Sequence, residues 1–295
     1  KKRTVNIKDD NSVAFQIRSY GWSIGASYSV VTNMDELAIY DCTAMPRHTD
    51  NADFARVVYM KTENYMDNFD RLNSFLGREE TISNSHRVRF VGKDSIDKNF
   101  SKALSSVRLN LAQAIINGNH YKISIADINL WTQIILNRIL FIRVCEARGL
   151  ERDGLLKDFA ATDFWTEFKR SSYIDFYEHY DGPMFARIRH IQDLIIDNAV
   201  FDDLLSYLYY PSPYCFDVIP LKSISDIYDL FLGYHLEYDD SGILENVLKS
   251  EFRKSNGAVT TPEHIVHNTI DSTVPSEYLQ SLTNQQILDL KFLDP

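Results

Sequence analysis

Apolar residues recur at helical spacing in SVAFQIRSYGWSIG, where Val13, Ile17 and Tyr20 share a face and the pattern stops near Gly21 or Gly25. The next stretch, YSVVTNMDELAIYD, holds two β-rich runs around Asn33-Met34-Asp35-Glu36, a hairpin signal. A helical period then returns through ADFARVVYMKTENYMDNFDRLNSFLG. From about residue 95 to about 240 the pattern is helical, and SIADINLWTQIILNRILFIRVCEARGL is its strongest segment. Ser124 with Asp127 suits its start and Gly149 its end. Because it is apolar on most sides, it belongs in the middle of a helical bundle. The helical pattern continues through GPMFARIRHIQDLIIDNAVFDDLLSYLYY until PSPYCFDVIP breaks it, and LKSISDIYDLFLGYHLEY reads as one more amphipathic helix. In RKSNGAVTTPEHIVHNTI a new helix is expected, with Thr261 as N-cap and Pro262 at its first position. At the end, Ile287, Leu288, Leu290, Phe292 and Leu293 read as a short buried strand closed by Asp294-Pro295.

With 295 residues, 44% of them hydrophobic, the chain can hold two ordinary domains with cores of their own. The apolar run IILNRILFIRV is broken by Asn137, Arg138 and Arg143, which argues against a membrane span. KKRTVNIKDD lacks the apolar centre of a signal peptide. Cys42, Cys145 and Cys215 lie far apart in no metal or disulfide spacing, as in a reducing cytoplasm. A net charge of −10 argues against the whole surface being a nucleic-acid footprint. A local DNA groove stays open, since distant acids are screened over about 8–10 Å.

Two stretches hold candidate chemistry. A helix starting at Thr261-Pro262 offers unpaired amides and a partial positive charge to an anionic group, and Gly257 allows close backbone approach. The plain alternative is an ordinary capped helix at a domain boundary. Strands of open α/β sheets end at the crevice where ligands bind, so Asp294 at a strand tip is a second candidate. In this order, RKSNGAVTTPEHIV followed by LKFLDP resembles the beginning of an adenine-N6 DNA methyltransferase domain, whose members carry Gly-x-x-Tyr-Thr-Pro and then a strand running into a Gly-rich turn. The resemblance implies that Gly257, Thr261 and Pro262 meet S-adenosylmethionine and that Asp294 lies beside its ammonium group. Thr260 stands where the family usually has Tyr, and neither the Gly-rich turn nor the Asn-Pro-Pro-Tyr motif is in this sequence.

Farther upstream, FDVIPLKSISDIYDLFLG looks like the helix before the methyltransferase in fused restriction–modification enzymes. ILNRILFIRVCEARGL is similar to the core of their helical domain, where Phe-Ile-Arg and Glu-x-Arg-Gly recur. For Arg143, Glu146 and Arg148, solvated charge and a structural ion pair are both open readings. The N-terminal stretch resembles the back half of a PD-(D/E)xK nuclease domain, where fused enzymes carry a Glu-Ala-Lys-Lys run, then a Gln-x-x-x-Tyr helix and a Leu-Thr-Asn hairpin; Gln16 with Tyr20, and Thr32-Asn33, stand at the last two here. By that resemblance Lys1 is the catalytic lysine. Gln16 and Tyr20, four apart and on one helix face, contact DNA phosphate or brace that lysine. The magnesium-binding Asp and Glu are expected before residue 1, so no metal ligands are assigned here.

Other candidates are weaker. His264 and His267 lie three apart rather than in His-Glu-x-x-His and read as surface residues. Cys145 reads as a small core residue, and Tyr207, Tyr209, Tyr210 and Tyr214 as the packed edge of a bundle.

Taken together, these stretches resemble the type IIG restriction–modification family, as a piece cut at both ends. The fold expected is mainly α with α/β ends. Residues 1–92 would be the rear of a PD-(D/E)xK nuclease-like domain with a mixed sheet, 93–250 a helical connector, and 251–295 the first helix and strand of a Rossmann-like methyltransferase. The resemblance implies S-adenosylmethionine and Mg²⁺ as cofactors and double-stranded DNA as partner of the intact enzyme, with the piece itself inactive. A methyltransferase with a degenerate nuclease-like front and a helical interaction scaffold are the alternative readings.

Overall fold

The Asp10 carboxylate accepts from the Ser12 and Val13 amides at 2.9 and 3.3 Å and so starts helix α1 (Asn11–Ser23) in the computed structural model, which describes residues 1–81, 96–180, 183–249 and 263–291. The helix stops at Ile24, and Gly25 turns the chain with φ 74°. Strands β1 (Tyr28–Thr32) and β2 (Glu36–Asp41) form the expected hairpin, with Tyr28 opposite Asp41 and Thr32 opposite Leu37. Its turn is made by Asn33, whose side-chain oxygen accepts from the Asp35 and Glu36 amides at 3.0 and 2.7 Å while its amide donates to the Val5 carbonyl at 2.7 Å.

Strand β3 (Arg56–Lys61) pairs antiparallel with β2, where the sequence pattern suggested helix. Arg-Val-Val-Tyr-Met-Lys is a β-branched and aromatic run, and pairing with a buried central strand decides its conformation. Only after it does the chain become helical, in α2 (Phe69–Leu76). The period of two along β2 serves both faces. Ala38 and Tyr40 pack with Val13 and Ala14 of α1, whereas Leu37 and Ile39 pack with Val58, Met60 and Leu72. The sheet is wholly antiparallel among the described residues, not mixed as expected, because no crossover helix separates its three strands.

The helical part centres on α3 (Ile96–Gly118) and α4 (Ile125–Ala147). Ser124 caps α4, accepting from the Asp127 amide at 3.1 Å, and Gly149 closes it with φ 70°. Along α4, Ile128, Trp131, Ile135, Leu136, Ile139 and Ile142 are buried, as its pattern predicted. By length and a mean hydropathy of 1.3, α4 would pass for a membrane span, contrary to expectation, yet here it lies inside a helical core. Around it are α5 (Leu155–Ala160), α6 (Phe164–Ser171), α7 (Ala199–Leu208) and α8 (Leu221–Leu232). Phe164 of α6 stacks on Phe201 of α7 with centroids 4.3 Å apart. Gly118 ends α3 so close to the Ile195 carbonyl that any side chain would strike it.

The helix expected through Tyr238 ends early. Strands β4 (Tyr234–Tyr238) and β5 (Leu244–Leu248) form a second hairpin, turned by Asp239, which accepts from the Ser241 and Ile243 amides at 2.9 and 2.7 Å, and by Gly242 with φ 78°. The Asn129 side chain on α4 holds this hairpin, exchanging hydrogen bonds of 2.7 and 2.9 Å with the Leu236 backbone.

The chain divides into two compact units, Lys1–Ser250 and Glu251–Pro295. The boundary expected near residue 92 falls outside the described residues, and the parts on either side of it belong to one unit. In the second unit, α9 (Glu263–Thr273), α10 (Ser276–Gln280) and α11 (Asn284–Leu288) are short helices with largely exposed side chains. The expected terminal strand fails over its described part: Ile287 and Leu288 lie in α11, 39% and 78% exposed. Thr283 and Gln286 form a capping box, and this local helix-start signal prevails over the apolar run. Phe292, Leu293, Asp294 and Pro295 lie outside the described residues.

Candidate functional site

Helix α1 brings three of the candidate residues into a line. The Lys1 ammonium donates to the Gln16 side-chain oxygen, and the Gln16 amide donates to the Tyr20 hydroxyl at 3.4 Å. The spacing of four residues on a helix puts Gln16 and Tyr20 one above the other. Both are half-buried, while Lys1 is exposed. Burial is the main cause that raises the Tyr20 pKa above its ordinary value, with Asp217 next.

Helix α1 sits on the sheet through a close approach at Gly21, where a Cβ would collide with the Cys42 side chain. Arg18, buried on the same helix, pairs with Asp50 at 2.7 Å. At the turn end of the hairpin a polar cleft is lined by Arg3, Lys8, Asn33, Asp35, Glu36 and Tyr59. Two of its carboxylates, Asp35 and Glu36, are already engaged. Arg3 pairs with Asp35 at 2.6 Å and its hydrogen bond holds that carboxyl below the usual range. Glu36 accepts from the Tyr59 hydroxyl, the Ile7 amide at 3.0 Å and Asn33 at 3.3 Å, and the Tyr59 bond is the largest cause of its lowered pKa. Tyr59 in turn is pushed up to about 12, by burial first and then by Glu36. Among the described residues no three His, Cys, Asp or Glu side chains converge to hold a metal ion.

On the opposite side of α1 lies the helical part of the same unit. A cavity of about 170 Å³ is lined by Gln16, Ser19 and Tyr20 of α1 and by Arg143, Cys215 and Asp217. The Ser23 hydroxyl donates to the Pro213 carbonyl at 2.9 Å and accepts from the Cys215 amide at 3.1 Å. Trp22 and Tyr214 meet with ring centroids 5.6 Å apart, and Phe15 and Tyr210 with centroids 5.7 Å apart.

The loop that makes these contacts is held from behind by the charges near the end of α4. Glu146, fully buried, accepts from the Tyr209 hydroxyl at 2.6 Å and the Leu156 amide at 2.9 Å, with Arg143 at 3.3 Å. Arg143 also donates to the Leu208 carbonyl at 2.9 Å and lies over the Tyr209 and Phe216 rings. The Arg148 guanidinium donates to the backbone carbonyls of Asp217, at 3.3 Å, and Ile219. Of the two readings left open for these charges, the buried ion pair is therefore the one found for Arg143 and Glu146. Burial outweighs the donors and raises the Glu146 pKa.

Gly257, Thr261, Pro262 and Asp294 lie outside the described residues. His264 and His267 are exposed on α9, Cys145 is buried, and none of the three cysteines is in a disulfide. Tyr209 and Tyr214 are core residues, but Tyr210 is 64% exposed. Sequence reasoning missed Ser23 and Asp217, because PSPYCFDVIP looks only like a break in a helix until the chain folds.

No family model matches the chain, and no solved structure matches it. Among known proteins it is similar to the type II restriction enzyme and methyltransferase RM.Eco57I of Escherichia coli, 30% identical over 303 aligned residues. That alignment takes in all of this chain and 30% of the relative, so the chain spans about a third of the protein it matches. Along its whole length the chain is thus similar to one segment of a type II restriction enzyme and methyltransferase, which supports a fragment of a type IIG restriction–modification enzyme.

Proposed function

We propose that this chain joins the two activities of a single-chain restriction–modification enzyme. In this reading residues 1–92 are the rear of a PD-(D/E)xK nuclease domain, 93–250 a connector, and 251–295 the beginning of an adenine-N6 methyltransferase. The intact protein methylates adenine N6 in a defined sequence of double-stranded DNA and cleaves unmodified sites, in the cytoplasm. The observation that carries the reading is the 30% identity, over the whole of the chain, with a protein named for both activities. Magnesium would supply activated water for cleavage and S-adenosylmethionine the methyl group.

In cleavage this chain would supply one catalytic group, Lys1, and the residues that position it. The Lys1 ammonium is a cation held by a neutral amide, not by a carboxylate, so its charge stays available to a DNA phosphate or a developing oxyanion. Gln16 orients it, and Tyr20 orients Gln16. For the methyltransferase, Gly257, Thr261, Pro262 and Asp294 are the residues proposed to meet S-adenosylmethionine. By itself the 295-residue chain is expected to do neither reaction.

The test is made on the full-length protein. Purified enzyme with S-adenosylmethionine should place methyl groups on adenine N6, and with Mg²⁺ should cut unmethylated DNA. Lys1→Ala should lower cleavage at least a hundredfold and leave methylation intact, in line with losing a group that stabilises transition-state charge. Full cleavage by that variant would refute the assignment of Lys1.

A further inference from the structure

The hydrogen-bond donors and acceptors along α1 run in one direction. Lys1 donates to Gln16, and Gln16 donates to Tyr20. A tyrosine hydroxyl that accepts at its oxygen still has one proton to give. A partner is offered by the cavity that Tyr20 lines, whose far wall is made by Arg143 and residues 208–217. Its other polar groups are poorly suited. Arg143 is only a donor. The Ser212 hydroxyl already donates to the Tyr207 carbonyl at 2.7 Å and accepts from the Tyr214 amide at 3.2 Å. Cys215 offers a weak thiol. Asp217 is the carboxylate in the set.

We infer that Asp217 is a positioning residue for DNA cleavage: its carboxylate takes the Tyr20 hydroxyl proton in a hydrogen bond and thereby fixes Gln16 against Lys1. The inference rests on the proposed nuclease role of Lys1. It places a residue of the helical connector, about 200 positions along the chain, in support of the nuclease half. Asp217 is well anchored for this work. Arg148 holds its backbone carbonyl, and two positions earlier the Cys215 amide is tied to Ser23 at the end of α1. The raised pKa of Tyr20, to which Asp217 contributes after burial, agrees with a hydroxyl that donates to an anion.

The experiment is a double-mutant cycle in the full-length enzyme, reading DNA cleavage and adenine methylation side by side. Asp217→Ala and Tyr20→Phe should each lower the kcat for cleavage roughly tenfold, the scale of one charge-assisted hydrogen bond, with KM for DNA unchanged. The double variant should be no slower than the worse single one, because Asp217 acts only through Tyr20. Asp217→Asn, which keeps an acceptor, should recover most of the rate and guards against misfolding of the alanine variant. Methylation should stay at the native rate throughout. Native cleavage by Asp217→Ala, losses that multiply in the double variant, or a parallel fall in methylation would overturn the inference alone. A native enzyme that methylates but never cuts would overturn the proposed nuclease role as well.

Discussion

Replacing Glu146 with alanine tests whether the buried carboxylate organises the connector. The side chain is fully buried and three donors converge on it: the Tyr209 hydroxyl, the Leu156 amide and the Arg143 guanidinium. Its removal leaves two neutral donors without a partner in a site closed to water, at about 1–3 kcal/mol each. Arg143 is affected less, since its side chain is 12% exposed and keeps the Leu208 carbonyl and two aromatic faces. The expected loss is about 3–5 kcal/mol, the usual effect of breaking one side of a buried pair. Glu146→Gln retains an acceptor and should lose roughly half as much. Urea unfolding followed by tryptophan fluorescence reads this directly, because Trp22, Trp131 and Trp165 all lie in the large core. The pH dependence gives a second check. The folded pKa of Glu146 is raised above its unfolded value, so the folded state binds the extra proton. The contribution of this group therefore favours folding at low pH and fades as pH rises from the unfolded pKa through the folded one. The glutamine variant lacks that slope and should close the gap to the native chain as pH rises toward neutrality. An alanine variant within 1 kcal/mol of native, or a gap that widens with pH, would refute the reasoning.

Two further substitutions address the front of the chain. Gly21→Ala pushes a methyl group into Cys42 where α1 crosses the sheet, and should destabilise by about 1–3 kcal/mol in chemical denaturation; a neutral result would mean that the helix is free to move off the sheet. Asp10→Ala removes the cap from the Ser12 and Val13 amides and should lose about 1 kcal/mol at pH 7. The hydrogen bond from Ser12 is the main cause of the lowered Asp10 pKa, so the difference should vanish as acid titrates the carboxylate below its folded pKa. A difference that persists unchanged into acid would show that the cap is not electrostatic.

The elements that were legible in the sequence are those whose signal is local. Ser124 is a short side chain that satisfies an amide three residues away, the apolar face of α1 follows a helical period, and α4 is apolar on most sides. The hairpin at Asn33 is local in the same sense, since one side chain makes the turn. What was misread depends on partners distant in sequence. Arg56–Lys61 is a strand because a central strand is there to receive it, and Tyr234–Tyr238 because Asn129 and the opposing Leu244–Leu248 hold it extended. Ile287 and Leu288 were misread for the opposite reason. Their apolar run was weighed as if buried, while the nearby Thr283–Gln286 pair already specified a helix.

The candidate site divides along the same line. The contact between Gln16 and Tyr20 was legible because four residues on a helix fix their relation, whereas the role proposed for Lys1 rests on a family pattern alone. The support beyond Tyr20 was not legible, because no spacing rule links residue 20 to residue 217. Yet the two halves share more than a cavity wall. Trp22 of α1 is a member of the large helical core, and Ser23 bonds to the backbone on both sides of Tyr214. A helix whose tryptophan is packed into the connector cannot shift by half a turn without opening that core. The orientation of the Gln16 face is thus set by the helical part as much as by the sheet on which α1 lies, and changes in the 209–219 loop are expected to reach the proposed nuclease half before they reach anything else.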